Sequence, residues 1–496
     1  MTSSKSSPKR GDKSSYKPVS PFDMFYQLTF MSAMASAGIS RSKTFEIAAQ
    51  AKNSAAPYFA AINTLVDEFR YDYPDACRMI GVKGASENIR SFLLRLSDAL
   101  RSGEPLGDFL AREAEVQGED YRNEYERNLE NLKQWTNAFS SITISIGLII
   151  IIQMITAMIY STSVTMMATL VLAGALMAGF GAWIIYRSAP RETMNITASK
   201  GSPEQRRVAR LFRIVAPIGI MAVGLLLVIT GNVGIALIVA AACILPVGIL
   251  SMLSDKVTNK KDIEFSTFLR STGGMATSSG TTLKQALTKI DLASFPYLGP
   301  DIERLGKRLQ ARVEPEVCWH KFGIETGSRL ISDTVDIFYG AVKIGGDPER
   351  VGYLCSLFAA RTTQLRAKRR LVAGTFSGLS TVMVAMVAGL MVFVLSVVNN
   401  FAAIVTELTP TDTDAAMSGQ PNMSLGLAEF SPEDLAFLGV ITVVMVVAVS
   451  AASSAAVIFC DGGLKFKIFL YLAITIFICG ASFIVVPPMV ASILKA

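Results

Sequence analysis

Apolar and polar positions along the 496-residue chain fall into two kinds of pattern. From Pro21 to Ala138 apolar side chains recur at three-to-four spacing. Phe22, Phe25, Tyr26 and Thr29 are followed by Phe30, Ala33 and Met34, and later by Phe92, Leu93, Leu96, Ala99 and Leu100. That period predicts amphipathic helices, and no strand-like alternation competes with it. Gly38 and Gly103 are placed to end helices, while Ser40-Arg41-Ser42 and Pro105 stand where the next ones begin. The stripe Tyr121, Tyr125, Leu129 and Leu132 then leads to Trp135.

Seven long apolar runs follow the other pattern, at 139–162, 165–186, 212–230, 233–253, 372–404, 436–459 and 466–493. Most are near the ~20 residues that cross the hydrocarbon core, the third being slightly short. The first four read as two hairpins, turning at Ser161-Thr162-Ser163 and Gly231-Asn232. The fifth is either one long helix or a span that leaves the bilayer near Asn399-Asn400, and Pro217, Pro246 and Pro487-Pro488 are candidate kinks. A second polar stretch, 254–370, separates the fourth run from the fifth. The predicted class is therefore an all-α membrane protein with about seven transmembrane helices and two related cytoplasmic helical-bundle domains. In order, these are a disordered tail at 1–20, the first domain at 21–138, four spans at 139–253, the second domain at 254–370, and three spans at 371–496.

Charge orients this arrangement. Residues 1–20 are rich in Ser, Lys and Pro and lack the apolar core of a signal peptide. Loop 187–213 holds seven basic and two acidic residues, and 254–370 holds 19 and 13. Loop 405–434 has six acids and no Lys or Arg. Basic loops stay on the cytoplasmic side, so the N-terminus is expected inside, 405–434 outside, and after seven spans the C-terminus outside.

The two polar stretches share motifs. Met34-Ala35-Ser36-Ala37-Gly38 is matched by Met275-Ala276-Thr277-Ser278-Ser279-Gly280, and Ser102-Gly103-Glu104-Pro105-Leu106-Gly107 by Gly345-Gly346-Asp347-Pro348-Glu349-Arg350. In each stretch a last helix runs on into an apolar run. On these motifs the chain resembles the F domain of type II secretion and type IV pilus systems, over most of residues 20–400. The long form with two polar stretches looks like the archaeal branch, which includes the archaellum (archaeal flagellum) assembly protein J and the platform proteins of adhesive pili. The resemblance implies an integral membrane platform for filament assembly, motility or protein secretion. Its implied partners are a cytoplasmic hexameric secretion ATPase and pilin-like filament subunits, with a homodimer expected.

Candidate chemistry is sparse. No Gly-x4-Gly-Lys-Ser/Thr loop exists to cradle phosphates, and Gly306-Lys307-Arg308 lacks its essential parts. The single histidine, His320, follows Cys318 and Trp319 with no second histidine near it, and the six cysteines are scattered. The reading therefore assigns no catalytic residue, cofactor, metal or nucleic-acid partner, and no enzyme activity. Arg101, Glu104, Lys343, Asp347 and Arg350, beside the paired turns, are the candidates for docking the ATPase. The cluster Arg361, Arg366, Lys368, Arg369 and Arg370 is read as basic membrane surface, with Lys368, Arg369 and Arg370 touching anionic lipid. The apolar runs hold almost no ionisable groups, Gln153 being the main polar side chain of the first. That argues against the alternative, a small-molecule transporter with regulatory domains. Small residues at 174–178 and 450–456 suit close helix packing or self-association.

Overall fold

The computed structural model describes residues 16–51, 53–159, 164–190, 192–196, 201–408 and 432–495. Among them no β-strand forms. The first polar stretch gives α1 (Pro21–Ala35), α2 (Arg41–Ala49), α3 (Ala56–Asp67), α4 (Tyr73–Val82) and α5 (Glu87–Ser102), followed by the long α6 (Leu106–Ile159). Then come α7 (Val164–Ser188), α8 (Pro203–Thr230) and α9 (Val233–Ser278). The second polar stretch adds α10 (Leu283–Lys289), α11 (Gly299–Gln310), α12 (Pro315–Glu325) and α13 (Arg329–Lys343) before the long α14 (Pro348–Leu408). The chain closes with α15 (Pro432–Asp461) and α16 (Ile468–Lys495).

Local chemistry fixes the boundaries. Ser20 caps α1 by accepting the Asp23 amide at 3.1 Å, and Pro21 sits at a position whose N–H would have no helical partner. Ser40 caps α2 through the Lys43 amide in the same way. Gly103 ends α5 at φ +77°, where a side chain would be strained, and the Glu104 amide returns to the Ala99 carbonyl.

By compactness the described chain forms two units: Met1–Glu126 with Asn259–Leu365, and Arg127–Thr258 with Arg366–Ala496. The first unit combines both polar stretches around two apolar cores. One gathers Phe45, Tyr58, Phe59, Phe92 and Leu96. The other gathers Phe268, Trp319, Phe322 and Phe338. Helix α1 feeds both, with Met24, Leu28 and Met31 in the first and Ala33 and Met34 in the second. After α1 come helices of 9, 12, 10 and 16 residues before α6. After α9 come helices of 7, 12, 11 and 15 residues before α14, the same order at nearly the same lengths.

In the second unit, seven helices of the described residues are long and apolar enough to cross a membrane, given by α6, α7, α8, α9, α14, α15 and α16. Its core joins Ile146 and Ile150 of α6 to Val171 of α7, Met391 of α14, Met445 of α15 and Cys479 of α16. Gly174 brings α7 close, since a Cβ there would lie 2.7 Å from the Ile146 side chain and 3.2 Å from that of Met445. The fifth run stays helical through Asn399-Asn400 to Leu408, and the Asn400 side-chain Nδ2 donates to the Ser396 carbonyl at 2.8 Å. Pro217, Pro246 and Pro487-Pro488 lie inside their helices. Residues 1–15 of the expected tail, the Ser161-Thr162-Ser163 turn and most of the acidic loop 405–434 lie outside the described residues.

Candidate functional site

The motifs that recur along the sequence meet in space within the first unit. At the start of α14, the Asp347 carboxylate accepts the Thr277 hydroxyl at 2.8 Å and the Arg350 amide at 3.2 Å. Thr277 in turn accepts the Glu349 amide at 3.1 Å, so one hydroxyl and one carboxylate together satisfy the open N-terminus of α14. The Thr277 hydrogen bond, followed by those from the backbone, holds the Asp347 carboxyl below its usual range. Gly273 makes the approach feasible, because a Cβ there would collide with the Pro348 carbonyl. The other turn repeats the contact more loosely. A Cβ on Gly107 would stand 3.5 Å from the backbone of Ala35 and Ser36, at the end of α1.

Within this unit α6 and α14 run side by side. Arg350 pairs with Asp108 at 2.7 Å. Further along, Arg361 lies 3.5 Å from both Glu115 and Glu119. Aromatic rings of α1 pack across the pair, with Phe25 4.8 Å from Phe358 and 6.1 Å from Tyr121 between ring centroids. Gly118 permits this, since a Cβ would lie 2.6 Å from the Arg361 guanidinium and 2.9 Å from the Phe25 ring.

Every docking candidate read from the sequence has a partner in the chain. Arg101 pairs with Asp75, Glu104 with Arg112, Lys343 with Glu316, and Arg350 with Asp108. The Glu316 hydrogen bond pushes the Lys343 ammonium pKa up. Asp75, Asp108, Arg112, Glu316, Thr277 and Gly118 were missed. Most of these partners are far apart in the chain, as with the 26 positions between Asp75 and Arg101, so no helical spacing announces them.

The basic cluster divides. Arg361 belongs to the α6–α14 pair. Arg366 and Arg369, read as basic membrane surface, are instead buried in the second unit. Arg366 pairs with Glu192 at 2.7 Å. Arg369 donates to the carbonyls of Cys460, Pro190 and Phe459 at 2.8, 3.0 and 3.0 Å. The end of α15 leaves such carbonyls without helical donors, and a guanidinium with five N–H groups can serve several at once. Lys368 and Arg370 also have interactions within the protein. Nearby, Lys467 sits 2.7 Å from Asp461 and 3.4 Å from Asp255.

His320 lies at a cleft of about 910 Å³ in the first unit, beside Tyr26, Phe30, Trp319 and Tyr339. Its Nδ1 is 3.7 Å from the Asp336 carboxylate, and both side chains are exposed. No group of three or more metal-type ligands occurs among the described residues. In the second unit Gln153 borders a cavity of about 10 Å³, with Ile150, Met154 and Met391. That is the lower limit for a single water.

Comparison with known proteins fits this architecture. Residues 28–155 match the family described as Type II secretion system (T2SS), protein F. The chain is 25% identical over 316 residues to the Flagella accessory protein J of Methanocaldococcus jannaschii, covering 62% of this chain and 56% of that protein. It is 21% identical over 330 residues to the Flagella accessory protein J of Methanococcus voltae, covering 64% of this chain and 59% of the relative. The alignments thus span less than two thirds of either relative. No solved structure matches.

Proposed function

Starting from residues 28–155 as a domain of the type II secretion system protein F family, we propose that this multi-pass membrane protein is the platform of an archaeal type IV filament machine, an archaellum or an adhesive pilus. In this reading α1–α5 and the helices from the end of α9 to α13 are two copies of one cytoplasmic design. The N-terminus lies inside, and loop 405–434 and the C-terminus lie outside. A hexameric cytoplasmic ATPase docks where α6 and α14 begin, pilin-like subunits meet the spans, and two copies pair. The chain supplies no catalysis, and ATP hydrolysis belongs to the partner.

One observation carries the docking face. The N-termini of α6 and α14 are tied by Arg350 and Asp108, and both helices belong to both units. The chain passes between units three times, after Glu126, Thr258 and Leu365, each time inside α6, α9 or α14. A displacement imposed where α6 and α14 begin therefore has an unbroken hydrogen-bonded backbone leading to an apolar run. The transporter reading gains nothing from Gln153, whose cavity of about 10 Å³ has no room for a solute.

The test is binding of the purified full chain, in detergent, to the hexameric secretion ATPase. Arg350→Asp and Asp108→Arg are each expected to weaken binding, as are Lys343→Glu and Arg101→Glu. Binding untouched by all four moves the interface away from the paired turns. No binding by the unaltered chain to an ATPase that is hexameric under the same conditions removes the platform reading.

A further inference from the structure

Helix α8 stands apart from the other candidate spans. Only 6% of its most apolar window is buried, against 28 to 56% for the other six. Its N-terminal turns carry Arg206, Arg207, Arg210 and Arg213, all exposed. The only acid in its first turn is Glu204. Arg206 donates to the Gly201 carbonyl at 3.0 Å. Arg207, Arg210 and Arg213 make no ion pair or hydrogen bond among the described residues. In the same unit Arg366 and Arg369 are buried, and Lys467 is partly buried, against carboxylates or carbonyls. Three arginines here are left without that.

Helical geometry joins the arginines to an apolar lane. Arg207, Arg210, Ile214, Ile218, Met221, Leu225 and Val228 follow one another at three- or four-residue steps and so share one face. The apolar members are 54 to 86% exposed. From Arg207 to Val228 the rise is roughly 30 Å, the thickness of the hydrocarbon core, which sets the arginines at one interface and the lane through the bilayer.

We propose that this face of α8 is a binding site for an anionic phospholipid, with Arg207, Arg210 and Arg213 taking the headgroup phosphate and the lane from Ile214 receiving acyl chains. A guanidinium offers paired N–H groups that match phosphate oxygens, and among the described residues no carboxylate pairs with these three. A soluble acidic partner would account for the arginines but not for the lane that continues from them into the hydrocarbon. The site is independent of whether the chain serves a filament.

Native mass spectrometry of the delipidated full chain in detergent tests this, using phosphatidylglycerol, phosphatidylcholine and inorganic phosphate as probes. Phosphatidylglycerol is expected to bind in preference to phosphatidylcholine. A chain carrying R207Q, R210Q and R213Q together is expected to lose affinity about tenfold or more, while Lys307→Gln in the first unit changes nothing. A triple Arg→Lys variant, which keeps charge at the interface, is expected to retain most of the preference. Three results overturn the proposal. The triple Gln variant could bind phosphatidylglycerol as the parent does, or inorganic phosphate could compete as well as the lipid. Or the triple Gln change could abolish a dimer without altering lipid binding, which would assign the arginines to a second copy.

Discussion

Two ionic regions of this protein use the same residue types to opposite ends. In the first unit Arg350 and Asp108 are each about half exposed, at 50 and 54%. In the second unit the Arg366 and Glu192 side chains are 2 and 8% exposed, and Arg369 is closed in against three carbonyls. The exposed pair is screened by water and salt, so it can open at little cost. The buried groups have surrendered their hydration and depend on each partner to replace it. One region therefore suits an exchange of partners during work, and the other suits holding helix ends in fixed register.

Removing a buried member should have the largest effect. Arg369→Leu strands the carbonyls of Pro190, Phe459 and Cys460, and a loss of about 3–5 kcal/mol is expected in thermal unfolding of the detergent-solubilised chain. A loss below about 1 kcal/mol would erase the contrast between the regions. Arg366→Met alone should cost nearly as much by leaving Glu192 charged and unpaired. Adding Glu192→Leu should then recover most of it, and a cycle showing simple additivity would mean the two do not act as a pair.

In the first unit the effects shrink. Asp347→Asn should cost about 1 kcal/mol at neutral pH by weakening the cap on α14. Because the native carboxyl titrates below its unfolded value of about 4, its contribution is full above that pH. It is lost as pH falls through the depressed value, so parent and variant should converge in acid, and a constant gap down to pH 2 would rule out the charge as the cause. Smallest is Arg350→Asp, expected at about 0.2–1 kcal/mol, reversed by adding Asp108→Arg and masked at ~1 M salt. If the swap restores stability but not ATPase binding, the two charges pair with each other and the sign at each position also matters to the partner.

Much of the fold was legible because its signals are local. Helix periodicity, Gly103 at positive φ, Ser40 at the start of α2 and the seven apolar runs depend on residues near one another in the chain. Charge destination was not legible. Arg361, Arg366 and Arg369 lie within nine positions, yet the first joins an exposed ladder and the others a buried one. Their partners Glu115, Glu192 and Cys460 come from distant segments, so composition gave the charge without its setting. For the candidate site the recurring turns drew attention to Asp347. Its bond to Thr277 spans 70 positions, and the need for Gly273 and Gly118 appears only when neighbouring backbones are in place.

The two long helices of the first unit meet at matching heights. Arg350 and Asp108 are 242 positions apart, Arg361 and Glu119 are the same distance apart, and so are Gly38 and Gly280, both at positive φ. Neighbours across the α6–α14 seam are thus counterparts of one another, as they would be about a rough twofold axis parallel to both helices. Helix α1 departs from that symmetry, because it contributes Met24, Leu28 and Met31 to one core and Ala33 and Met34 to the other.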